Sequence, residues 1–115
     1  MGKLYPEPLR YPCASDDDFV LAAEDVFSEE LIDIIEKSGC KKQIKNMLKQ
    51  RVDFLCKHRQ NCFIHTQWFE RIEGEVHSLR IKHSQLNLRI LFSFLTIKKT
   101  PYAVLLCSFL EKENS

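Results

Sequence analysis

Val76-His77-Ser78-Leu79-Arg80-Ile81-Lys82 and, after a gap of three residues, Leu86-Asn87-Leu88-Arg89-Ile90-Leu91-Phe92-Ser93-Phe94-Leu95 decide how this chain folds. Both stretches alternate. In the first, Leu79 and Ile81 fall on one side, with Ser78, Arg80 and Lys82 on the other. In the second, Leu86, Leu88, Ile90, Phe92 and Phe94 share a face, opposite Asn87, Arg89, Leu91, Ser93 and Leu95. A period of two is the mark of a half-buried strand, because successive side chains point to opposite sides of a sheet. Lys98-Lys99-Thr100-Pro101 reads as a turn, and Tyr102 to Phe109 is apolar on both faces, as in a strand buried mid-sheet. Short links between three strands predict antiparallel pairing.

Upstream the period changes to that of a helix. Ser28 suits an N-cap, Glu29 and Glu30 suit the positive end of a helix dipole, and Leu31, Ile32, Ile34 and Ile35 supply an apolar stripe that Gly39 can end. A longer helix follows from about Lys41, with Ile44, Met47, Leu48, Val52, Leu55 and Cys56 on one face. The expected fold is α+β: a helix hairpin over residues 28–60 packed on one face of a small antiparallel sheet. That sheet has three or four strands within 76–112, and the hairpin covers the face of Leu79 and Ile81. Residues 1–27 form an acidic, proline-rich lead-in, in which Phe19-Val20-Leu21-Ala22-Ala23 fits a strand or a helix equally well. The 115 residues suffice for a single domain with one modest core.

Charge is distributed unevenly along the chain. Residues 1–39 hold three lysines and arginines against ten carboxylates, a net of −7. Residues 40–115 hold fourteen against six, a net of +8, and all four histidines. A basic body suits contact with phosphates, although lysine-rich helix faces are commonly just solvated. No apolar run reaches the roughly 18 to 20 residues of a membrane span, and the proline-broken start is not a secretory signal. Five cysteines without a CxxC pair read as reduced thiols. Together these features predict a cytoplasmic protein without membrane contact.

The segments Val76–Lys82, Asn87–Phe92 and Val104–Lys112 resemble, in order and spacing, those of RelE/ParE superfamily toxins, in particular the HigB-like, phage-derived family. Leu79-Arg80 followed by basic residues, Arg89 opening an aromatic strand, and an apolar strand ending Phe109-Leu110-Glu111-Lys112 carry the likeness. It covers about residues 40–115. Phe92 stands where the family usually has tyrosine. The family's C-terminal helix is expected to be missing from a sequence that ends at Ser115.

The resemblance implies a toxin of a type II toxin–antitoxin pair, a ribosome-dependent mRNA endoribonuclease held in check by an antitoxin protein. ParE-like members act on gyrase instead. The implied chemistry is attack of a 2′-hydroxyl on the adjacent phosphate, with neither metal nor small-molecule cofactor. It needs a proton acceptor, a proton donor and cations around the developing charge. Arg80, Lys82 and Arg89 share the sheet face away from the helices and suit the cationic task, with Lys112 joining them. His83, beside a turn, is the candidate for proton transfer, whereas His77 reads as a packing residue. The alternative is a non-catalytic protein of RelE-type fold that binds an antitoxin-like partner. Cys56, His58, Cys62 and His65 are zinc-type ligands at a spacing that rarely closes a tetrahedron. Trp68-Phe69 fits a core plug better than a base-stacking pair.

Overall fold

The computed structural model describes residues 7–8, 20–23 and 25–111 of the protein. Their order is β1 (Glu7–Pro8), β2 (Val20–Ala23), α1 (Asp25–Lys37), α2 (Lys41–His58), a 3₁₀ turn (Arg59–Ile64), β3 (Phe69–Glu73), β4 (Val76–His83), β5 (Leu86–Ile97) and β6 (Thr100–Leu110). The fold is α+β. Its sheet runs β1-β2-β6-β5-β4-β3, with β3 to β6 an antiparallel run and β2 parallel to β6.

The alternating stretches are β4 and β5, and their expected inner face is the core. Leu79, Ile81, Leu88, Ile90 and Phe92 are all at 0% exposure. Phe27, Leu31 and Ile35 of α1 and Ile44, Val52, Leu55 and Cys56 of α2 pack into the same cluster. Complete burial of such side chains is worth about 1.5–3 kcal/mol each, which ties both helices to this face. The strand Tyr102–Phe109, expected at mid-sheet, is β6, between β2 and β5. Leu91 pairs with Cys107 and Phe92 with Leu105, so Leu106 is a one-residue bulge.

Boundaries differ from the sequence reading at three places. Helix α1 begins at Asp25, so Ser28 lies inside it and is not its N-cap. The ambiguous segment becomes a strand at Val20–Ala23, since alignment with β6 from Val20↔Tyr102 to Ala23↔Leu105 supplies backbone partners. The sheet also gains β3, whose burial is confined to Phe69; its other four residues are exposed. An edge strand of this kind shows no two-sided alternation. Gly39, at φ +77°, ends α1 as expected, and the hydroxyl of Ser38 donates to the Ile35 carbonyl (2.8 Å).

The five-thiol reading fails at Cys56, which is disulfide-bonded; among the described residues Cys40, Cys62 and Cys107 are free. No helix among the described residues is long and apolar enough to cross a membrane.

The β5–β6 link is tighter than expected, with only Lys98 and Lys99 between Ile97 and Thr100, at φ +50° and +70°. Two consecutive left-handed residues match the mirror-image two-residue turn, which favours Asn-Gly because other side chains are strained there. Lys99→Gly should therefore stabilise the protein by about 0.5–1 kcal/mol. The check is the urea midpoint, which should rise at unchanged slope; a fall would mean that the lysine side chain outweighs the backbone strain.

Candidate functional site: an arginine pair on the outer sheet face

Because Leu79, Ile81, Leu88 and Ile90 point inward, Arg80 and Arg89 must point outward, and the β4–β5 register sets them directly opposite each other. Two like charges at that position repel unless a counter-charge lies between them. Glu70 of β3 supplies it. Its Oε2 lies 3.1 Å from an Arg80 terminal nitrogen and 3.9 Å from one of Arg89. Glu111, just beyond β6, pairs with Nε of Arg89, and the hydroxyl of Ser78 lies 3.4 Å from the Arg89 fork. The side chain of Arg89 keeps only 15% of its exposure. The result is two guanidinium groups with two carboxylates, at the junction of four strands.

The remaining candidates divide. Lys82 is the next outward residue of β4, paired in register with Asn87, and is exposed. His83 stands at the hairpin end opposite Leu86, on the parity of Leu79 and Ile81. It is three residues from Arg80, about 10 Å along a strand, so it is not part of the arginine pair. Lys112 lies outside the described residues. Glu70 went unrecognised in the sequence because β3 was not seen as a strand, and Glu111 because only the β5–β6 register brings it to Arg89. The available signal was Phe69-Glu70-Arg71-Ile72-Glu73 ahead of Gly74, which sits at φ +55° in a hairpin turn.

Behind the pair, Arg51 of α2 is buried. Its Nε donates to the Arg80 carbonyl (3.2 Å) and its guanidinium lies over the Trp68 ring, 4.2 Å from the centroid. The amide of Arg80 donates to the Trp68 carbonyl at 2.8 Å. Helix, edge strand and the backbone of Arg80 thus meet at one residue. Burial holds the Arg51 pKa below its ordinary value.

The zinc-type set does not converge. Cys56 is consumed by its disulfide, and Cys62 is fully buried, its thiol pushed up to about 12 by desolvation. Among the described residues, no three His, Cys, Asp or Glu side chains gather as a metal cluster. No protein-family model, no curated protein and no solved structure matches the chain.

His77 is a packing residue, as expected. It is 8% exposed, with ring contacts to Phe63 (4.8 Å), Phe92 (5.5 Å) and Phe94 (5.7 Å), and its Nδ1 has no hydrogen-bond partner. Burial, then the charge of Arg71, lowers its pKa, and Glu75 opposes them weakly. In the unfolded chain that pKa is about 6.5. The unfolded state then binds more protons between the two values, so stability is full above about pH 6.5 and is lost as pH falls toward the folded value. Between about pH 7.5 and about pH 5.5, the urea midpoint of the parent should drop further than that of His77→Gln. Equal drops would place the pH dependence elsewhere.

Proposed function

We propose that this protein is a toxin of the RelE/ParE type, HigB-like, that cuts ribosome-bound mRNA without a metal and is neutralised by an antitoxin protein. The observation that carries this reading is the facing pair Arg80 and Arg89 with the carboxylate of Glu70 within reach of both. Two helices on one face of an antiparallel run, and cations on the other, support it as well.

In this reading an mRNA phosphate enters between the arginines and displaces Glu70 from its ion pairs. Glu70 then accepts the proton of the 2′-hydroxyl as that oxygen bonds to phosphorus. Arg80 and Arg89 meet the charge that builds on the phosphoryl oxygens, where fixed donors act most strongly. The bond to the 5′-oxygen breaks, leaving a 2′,3′-cyclic phosphate. Lys82, next along the same face, supplies the proton that the 5′-oxygen takes up. Each proton transfer contributes about 10²–10⁴-fold in enzymes generally.

One observation favours a second reading, in which the protein binds an antitoxin-like partner without cutting RNA. Arg89 is already engaged by Glu111 and Ser78 and is largely covered. Induced expression in bacteria separates the two. The parent should arrest growth and cleave messages on ribosomes, with cleavage falling at least 100-fold (about 2.7 kcal/mol) in Arg80→Ala/Arg89→Ala and in Glu70→Gln. A harmless parent with intact messages would leave the binding reading. Full cleavage by Glu70→Gln would remove Glu70 as proton acceptor.

A further inference from the structure

Helix α2 turns another surface to solvent, on the helix side of the sheet. Lys49, Asp53 and Lys57 recur every fourth residue, and Phe54 and His58 do the same one position on, so these five residues form one stripe. With Trp68 they line an open groove of ≈ 570 Å³. Its floor is aromatic. The His58 and Phe54 ring centroids are 4.2 Å apart with their planes tilted by 36°, and Phe54 stacks on buried Phe69 at 5.8 Å, so three rings follow one another into the core. Trp68 offers only its edge: Arg51 lies 4.2 Å from its centroid and His65 stacks at 3.8 Å, and two groups at such distances must take opposite faces. Lys49 and Lys57 are exposed and eight residues apart, about 12 Å along the helix. Asp53 between them lies 3.8 Å from Lys49, and two lysines against one carboxylate leave the stripe net positive.

We propose that this groove binds an unpaired nucleotide of a single-stranded RNA. The base stacks on the His58 imidazole, at the outer end of the His58–Phe54–Phe69 series, and the flanking phosphates meet Lys49 and Lys57. An aromatic floor between cations is the combination by which single strands are held, one part taking the π-face and the other the backbone. The choice of RNA rests on the endonuclease reading; the groove's demand for a planar, anionic ligand does not.

Trp68 is the only tryptophan in the chain, so its fluorescence reports on the groove directly. The full chain would be titrated with a short oligoadenylate, adenosine monophosphate, a duplex RNA and an acidic peptide. The expected result is a saturable fluorescence change with the oligoadenylate. Both Lys49→Glu/Lys57→Glu and His58→Ala should weaken it tenfold or more while the far-ultraviolet circular dichroism stays unchanged. No saturable change with the oligoadenylate overturns the proposal, as does equal binding of the duplex or the peptide. Equal affinity for adenosine monophosphate would make the ligand a free nucleotide and overturn the assignment to a strand. Failure of the ribosomal cleavage test with groove binding intact removes the endonuclease reading alone; cleavage without groove binding removes this proposal alone.

Discussion

The apolar row Leu79, Ile81, Leu88, Ile90 and Phe92 places every other part of the molecule. Side chains in a strand alternate strictly, so burying this row under α1 and α2 forces Ser78, Arg80 and Lys82 of β4 and Arg89 of β5 to the opposite face. A slip of one residue would drive two arginines into a core with no partners for them, at a cost of several kcal/mol per charge. The hydrophobic core and the cationic cluster are therefore two consequences of one register.

That register explains why the cluster was half legible in the sequence. Arg80 and Arg89 could be assigned to the outer face from alternation alone, as could the inner positions of β4 and β5. Their counter-charges could not. Glu70 lies on an edge strand whose only buried residue is Phe69, so its side chains carry no periodic signal. Glu111 reaches Arg89 only through the antiparallel pairing that brings Phe109 beside it. Pairing between strands is a long-range property, and spacing within one segment does not encode it.

Arg51 illustrates the same limit on the helix side. The apolar stripe of α2 was readable, and its members Ile44, Val52, Leu55 and Cys56 are buried. An arginine beside Val52 would ordinarily be assigned to solvent. It is buried because the Arg80 carbonyl and the Trp68 ring together offer a hydrogen bond and a π-face, the two things a planar guanidinium can use out of water. The disulfide at Cys56 depends equally on tertiary context, which the spacing within α2 does not encode.

The pairing of β2 with β6 bears on the order of events during synthesis. Val20 aligns with Tyr102, far from it in the sequence, and β6 is the strand that joins β2 to the rest of the sheet. A ribosome delivers residues from the amino end, so β2, α1 and α2 emerge with their partner strands still unmade. Contacts of such wide sequence separation also close slowly. Until β6 arrives, Glu111 cannot reach Arg89, and one edge of β5 has no hydrogen-bonding neighbour. The nascent chain thus carries an unassembled arginine cluster until β6 has emerged, and the finished surface appears only after that.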